Sequence, residues 1–213
     1  MSMISREQTR QNYDRMSRWY DLFAGSEKKF TDIGIQILSV KPGEQVLEVG
    51  FGTGHSLVTL SQQVGESGLV TGVELSAGMM KMARKRMQPE GVERSVGMVQ
   101  GDGTRLPFVQ HSFDAVFLSF TLELFSNEEM SVVLDECQRV LTHEGRLGVV
   151  SMAKRDVLAC KLYEWGHARW PALLDCRPIE LRKHLEAGGF RVQAMKVETM
   201  WGLPVEIALG RPF

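Results

Sequence analysis

From Val46 to Gly54 the chain reads Val-Leu-Glu-Val-Gly-Phe-Gly-Thr-Gly, and no other stretch restricts the fold as much. An apolar run short enough for a strand enters a turn with glycine at every second position, and helical spacing resumes directly after it. Glycine permits the sharp reversal and leaves room for a ligand against the backbone. The helix that follows brings its unpaired N–H groups and partial positive charge to the same point. Strand, glycine turn and helix in that order begin a βαβ unit, which predicts a parallel sheet with helices packed on it.

The rest of the chain repeats the alternation. Residues 45–50 read as the first strand and 54–64 as its crossover helix; 69–74 form a second strand and 77–88 a helix stopped by Pro89. Residues 95–100 and 113–119 read as further strands. A helix over 127–141 carries Met130, Val133, Leu134, Cys137 and Leu141 at helical spacing, and a turn at His143-Glu144-Gly145 leads to a fifth strand, 146–151. Ahead of the glycine loop, 26–39 reads as a helix with Phe30, Ile33, Ile37 and Leu38 on one side. Residues 155–175 break the rhythm with Tyr163, Trp165, His167, Trp170 and Pro171, and read as a helical cap. A helix over 178–188 ends on Gly188-Gly189. The last two strands, 190–197 and 204–210, are too close for a parallel crossover and must pair antiparallel.

The expected fold is therefore α/β, a doubly wound Rossmann-like seven-stranded sheet, mostly parallel with an antiparallel C-terminal strand and helices on both faces. The whole chain, 1–213, reads as one domain: a helical segment over the ligand (1–43), a binding core (44–151), a cap (152–176), and a C-terminal helix with its strand pair (177–213).

Charge and cysteine usage narrow the partners. A net charge of −1 gives no general attraction to nucleic acid or anionic lipid. The basic run Lys81-Met82-Ala83-Arg84-Lys85-Arg86 reads as either an anion-binding patch or, more simply, the solvated face of a helix. Cys137, Cys160 and Cys176 form no metal or redox pattern, which points to no metal and to a reducing cytoplasm. Met1 to Asn12 is too polar for a signal peptide, and no run approaches the ~20 apolar residues of a transmembrane helix, leaving at most a transient membrane contact. Monomer and homodimer both remain open.

The loop spacing indicates the ligand. A dinucleotide loop reads G-x-G-x-x-G, but the third glycine position counted from Gly50 is His55, bulky and polar. Here the pattern is G-x-G-x-G with Glu48 two residues ahead. A carboxylate there repels a pyrophosphate and attracts an ammonium, so a ligand with an amino-acid end fits better than a nicotinamide dinucleotide. Glu74 ends the second strand, where an acid can accept from both ribose hydroxyls. Asp102, in Gly101-Asp102-Gly103, can accept from an exocyclic amine such as that of adenine. Amino acid, ribose and adenine together describe S-adenosylmethionine. Taken singly, Glu74 could instead cap the helix near Ser76, and Asp102 could be a turn residue.

Glu48-Val49-Gly50-Phe51-Gly52-Thr53-Gly54, Val73-Glu74-Leu75-Ser76, Gly101-Asp102-Gly103-Thr104-Arg105-Leu106-Pro107-Phe108, Ser112-Phe113-Asp114-Ala115-Val116, and Glu136-Cys137-Gln138-Arg139-Val140-Leu141 before Glu144-Gly145-Arg146-Leu147 follow one another in order. As an ordered set over residues 44–151 they resemble the class I S-adenosylmethionine-dependent methyltransferases, most closely the ubiquinone/menaquinone C-methyltransferases and the related phospholipid N-methyltransferases. The resemblance implies that Thr53 and the glycines hold the methionine end, with Glu48 and Phe51 beside them. It places Glu74 and Leu75 at the ribose, Asp102 and Gly103 at the adenine, and Ser119 in the cofactor cleft. Tyr13-Asp14 and Trp19-Tyr20-Asp21 resemble the leading segment, where an aromatic residue, here Tyr20, covers the cofactor. The quinone enzymes tend to carry an Arg-Asn pair soon after the fourth strand; Phe120-Thr121-Leu122-Glu123-Leu124 lacks it.

The implied activity is methyl transfer to a small, apolar or lipid-like acceptor: a quinol, a phospholipid amine or another small molecule. Methyl transfer from a sulfonium is a direct displacement, so positioning dominates and a base is needed only if the acceptor must lose a proton. Of five histidines, His111, His143 and His184 read as solvated; His55 opens the helix after the loop and either touches the cofactor or, more simply, caps the helix; His167 in the cap segment is the candidate general base. Glu123 could steer a cationic amine, and Trp201 with the cap aromatics could line an acceptor pocket. The alternatives are a nicotinamide-dependent oxidoreductase and a non-catalytic S-adenosylmethionine-binding module.

Overall fold

The computed structural model describes residues 25–92, 95–155 and 177–213. The cap segment with Tyr163, Trp165, His167 and Trp170, and the leading segment with Tyr13, Trp19 and Tyr20, lie outside the described residues. A helix α1 (25–38) precedes β1 (Gln45–Val49), α2 (His55–Val64), β2 (Leu69–Glu74), α3 (Ala77–Met87), β3 (Val96–Gln100) and β4 (Phe113–Ser119). Then come α4 (Asn127–Val140), β5 (Leu141–Met152), α5 (Leu181–Ala187), β6 (Phe190–Met200) and β7 (Leu203–Pro212). The seven strands lie in the order β3-β2-β1-β4-β5-β7-β6. The first five strands run parallel and β7 pairs antiparallel with both neighbours, as expected for the C-terminal pair.

Alternate side chains go to opposite faces. Val46, Ala115, Phe117, Val150, Val205 and Ile207 pack under α1, α2 and α3. Leu47, Val49, Val116, Leu118, Val149 and Ala208 pack under α4 and α5. The sheet is thus covered on both sides, the condition for continuous apolar parallel strands. Local signals agree with this arrangement. The Ser76 hydroxyl caps α3 by accepting from the Met79 N–H at 3.1 Å. Ser126 and Glu129 form a reciprocal capping box on α4.

Three expectations shift. The buried face of α1 is Phe30, Thr31, Gly34, Ile35 and Leu38; Ile33 and Ile37 sit at its margins. The face is rotated because Gly34 lets the helix lie directly on the sheet: a side chain there would meet the Val150 Cγ2 at 2.5 Å. Leu141 begins β5 instead of ending α4. It pairs with Phe113, while Ala115 pairs with Arg146, so the expected turn at 143–145 is a bulge inside one long strand. Finally, α5 starts at Leu181, not 178, because the Ile179 backbone is engaged beside β5: its N–H donates to the Met152 carbonyl and its carbonyl accepts from Lys154, each at 2.9 Å.

Candidate functional site

The sheet order reverses between β1 and β4, where an open α/β sheet forms a crevice at its C-terminal edge. In register, Leu47 lies beside Val116 and Glu48 beside Phe117, which brings Gly50 alongside Ser119 at that edge. The crevice is a small cleft of about 60 Å³ among the described residues, lined by Glu27, Lys28, Thr31, Glu48, Gly50 to Ser56, and Ser119.

The glycine loop is held from all sides. Gly50, at φ +74°, donates its N–H to the Val73 carbonyl at 2.8 Å and accepts from the Thr121 hydroxyl at 3.2 Å. A side chain there would meet the Thr121 Cγ2 at 2.4 Å, so both conformation and space demand glycine. Among the described residues nothing lies within 4 Å of where a side chain on Gly52 would begin. Gly54 precedes α2 without a capping side chain, and no acidic residue lies in the first turn. His55 is consequently the first residue of the helix and a cleft wall, correcting its expected role as the cap. Arg86 corrects the reading of the basic run as a solvated face. Lys81, Arg84 and Lys85 are exposed, but Arg86 reaches back and donates to the Thr53 carbonyl and, at 2.7 Å, to the Thr53 hydroxyl.

Glu48 is the most perturbed acid. It is 1% exposed. One oxygen accepts from the Ser56 hydroxyl, and Oε2 has no hydrogen-bond partner among the described residues. Burial pushes its carboxyl up to about 8; the Ser56 bond opposes the rise and the neighbouring Glu74 charge adds to it. Glu74 is also buried. Its Oε2 accepts from the Gly52 N–H at 3.1 Å and its Oε1 from the Ser76 N–H at 2.8 Å, so it ties the glycine loop to the start of α3. Asp102 folds its own turn, its Oδ1 accepting from the Thr104 N–H and hydroxyl, each at 2.8 Å. Gly103 packs near Val49 and Phe125 at the end of β1.

Of the residues expected in the site, the cleft gathers Glu48, Gly50, Phe51, Gly52, Thr53, Gly54 and Ser119. The ring of Phe51 belongs to the core against Gly72, so this residue offers the cleft mainly backbone. Glu74 adjoins the cleft through Gly52, whereas Leu75, Asp102 and Gly103 lie beyond its lining, along the β2 and β3 edge. Glu123 is buried, and its Oε1 accepts from the Met152 N–H at 3.0 Å. The sequence reading missed Glu27, Lys28 and Thr31 of α1, Ser56 and Arg86. Ser56 was discoverable, since it follows the loop by two residues and stands one helical step from its base.

Residues 46–145 match the family described as "Methyltransferase domain". A demethylmenaquinone methyltransferase of Lactobacillus johnsonii is 32% identical over 145 residues, covering 67% of this chain and 57% of the relative. The ubiquinone/menaquinone biosynthesis C-methyltransferase UbiE of Azotobacter vinelandii is 35% identical over 138 residues, covering 64% and 53%. The chain thus spans less than two thirds of the length of these relatives. Among solved structures, a SAM-dependent methyltransferase from Aquifex aeolicus superposes with a TM-score of 0.65 at 24% identity, covering 84% of this chain and 88% of that one. The cyclase SpnF superposes with a TM-score of 0.80 at 19% identity, covering 98% and 97%. At such identities these structures speak for the fold alone.

Proposed function

This chain belongs to the methyltransferase domain family through residues 46–145, and on that premise we propose that it binds S-adenosylmethionine in the β1/β4 cleft and transfers its methyl group to a small, quinol-like apolar acceptor. The observation that carries the reading is the buried Glu48 Oε2, without a hydrogen-bond partner among the described residues, at the mouth of a glycine loop and an uncapped helix N-terminus. A lone buried carboxyl oxygen is costly unless something pairs with it. A ligand with an α-ammonium and an α-carboxylate suits both halves of this site: Glu48 takes the ammonium, and the α2 N-terminus takes the carboxylate.

In this reading the open face over Gly52 admits the ligand backbone, Glu74 holds the ribose hydroxyls, and Asp102 with Gly103 frames the adenine. Both Glu74 oxygens already accept one backbone N–H each, which orients them and leaves further lone pairs for hydroxyl donors. Bound there, S-adenosylmethionine supplies an electrophilic methyl group. The protein's part is to hold the reacting atoms in line at about 3–3.5 Å and to keep water out, which is worth roughly 7–11 kcal/mol of barrier. His167 and the cap aromatics are proposed for the acceptor side, where a quinol would need a base and an apolar wall.

The quinol class is proposed because the curated relatives are named for quinone biosynthesis. The phospholipid amine stays as a second acceptor class, because the Arg-Asn pair is missing from Phe120 to Leu124. The deciding experiment is transfer of a radiolabelled methyl group from S-adenosylmethionine to a panel of demethylquinols, phospholipid amines, small amines and thiols. Labelled quinol is the expected product. Binding without any labelled product would return the chain to the non-catalytic alternative, and binding of a nicotinamide dinucleotide in its place would overturn the cofactor.

A further inference from the structure

One wall of the cleft is built by α1, and its contact with β4 is a pair of hydroxyls. The Oγ1 of Thr31 and the Oγ of Ser119 lie 2.7 Å apart. Thr31 also donates to the Glu27 carbonyl, one turn back on α1, at 3.2 Å. A hydroxyl has a single hydrogen. If Thr31 spends its hydrogen on the Glu27 carbonyl, Ser119 must be the donor between the two hydroxyls. The order is then Ser119 to Thr31 to the Glu27 carbonyl, and both hydrogens are engaged within the wall. What the two hydroxyls can offer a ligand is lone pairs.

Glu48 and Gly50 line the same cleft, with Gly50 in register beside Ser119. The Oε2 of Glu48, unpartnered among the described residues, becomes a further buried acceptor when the carboxyl gives up its proton to an incoming cation. Three oxygens side by side on this wall of the cleft suit a group that brings several N–H donors.

We infer that Thr31 and Ser119 form a directed hydroxyl relay that, together with the Glu48 carboxylate, makes the α1/β4 side of the cleft a socket of oxygen acceptors for the α-ammonium of an amino-acid-bearing nucleoside. This rests on the proposed function, and it adds a positioning role for Thr31: by accepting from Ser119, it keeps the Ser119 hydrogen out of the socket. Without it, the Ser119 hydroxyl is free to turn its hydrogen toward Glu48 and compete with the ligand for that oxygen.

Titration calorimetry with two neutral-sulfur nucleosides tests the relay. S-adenosylhomocysteine carries the ammonium; 5′-methylthioadenosine keeps the nucleoside and thioether but lacks the amino-acid end. Thr31→Val, nearly isosteric, is expected to weaken S-adenosylhomocysteine about tenfold, in line with one hydrogen bond to a charged group. Binding of 5′-methylthioadenosine should stay within about twofold, and Thr31→Ser should restore the first ligand because it restores the hydroxyl. Equal weakening of both ligands by Thr31→Val overturns the relay, since it means the α1 wall has merely moved. Unchanged binding of S-adenosylhomocysteine by Thr31→Val overturns it as well. Failure of the unmodified protein to bind either nucleoside overturns the parent reading and the relay together, so the two failures are distinct.

Discussion

The Glu48→Gln substitution reads the site through protons. Burial holds the Glu48 carboxyl near 8 in the folded chain, against an ordinary value of 4.5. Between those values the folded chain binds a proton that the unfolded chain has released, so stability falls as pH rises. The contribution is complete below about 4.5 and is lost as pH passes through about 8. At about 1.4 kcal/mol per pH unit, the loss between pH 6 and pH 8 is roughly 2–3 kcal/mol. For a domain of this size that is a fall in Tm of about 5–10 °C. Glutamine is a neutral near-isostere that cannot titrate, so Glu48→Gln should remove this fall; groups common to both proteins cancel in the difference. A ligand ammonium seated against Glu48 reverses its preference and favours the carboxylate. Binding of S-adenosylhomocysteine at pH 7 should then release the larger part of one proton. Calorimetry in two buffers of different ionisation enthalpy measures that number, and Glu48→Gln should bring it near zero. Identical pH-stability curves for the two proteins, or no proton release on binding, would refute a buried protonated Glu48 facing the ligand cation.

Three further perturbations test the frame around the site. Glu74→Ala should weaken S-adenosylhomocysteine by about 2 kcal/mol or more, through charge-assisted bonds to the ribose, and unchanged affinity in calorimetry would remove Glu74 from the ribose site. Arg146 is almost buried, donating to the Leu38 and Ser39 carbonyls and to both oxygens of Glu44. Arg146→Leu should cost about 2–4 kcal/mol by taking the donors from two backbone carbonyls and from Glu44, which keeps the Lys41 N–H, seen as a Tm lower by roughly 5–15 °C. Trp201, 73% exposed at φ +51°, occupies with Gly202 the two-residue turn between β6 and β7, where asparagine is the preferred residue. Trp201→Asn should therefore raise stability by about 0.5–1 kcal/mol in denaturant unfolding; a loss would mean that the exposed indole has packing of its own.

The elements that the sequence reveals are those whose signals are local. The strand before the glycine loop and the Gly188 stop each act over a few residues, and each is found where the spacing puts it. The misplaced boundaries have tertiary causes. Leu141 looks helical by spacing, but pairing with Phe113 draws it into β5, and Ile179 is taken from its helix by backbone bonds to the end of the same strand. The site divides in the same way. Glu48, Glu74 and Ser119 are marked by standing at strand ends. Thr31 sits in an amphipathic helix like any other threonine, and only the fold brings its hydroxyl across 88 positions of chain to Ser119.

That long-range contact explains why α1, outside the matched family segment, matters to a cleft made mostly by the glycine loop. Three independent ties fix the helix: Gly34 seats it on Phe117 and Val150, Arg146 grips the Leu38 and Ser39 carbonyls at its C-terminal end, and Thr31 bonds to Ser119. Two of the three are structural and would hold the helix equally well over an empty crevice. The hydroxyl pair is different, because it lies in the cleft lining and leaves oxygen lone pairs beside an unpartnered carboxyl oxygen. If packing were its only task, an apolar contact at position 31 would serve as well and avoid burying a hydroxyl. Retention of full ligand affinity in a stable Thr31→Val protein would therefore reduce α1 to scaffold, and selective loss of the amino-acid-bearing nucleoside would make it part of the binding site.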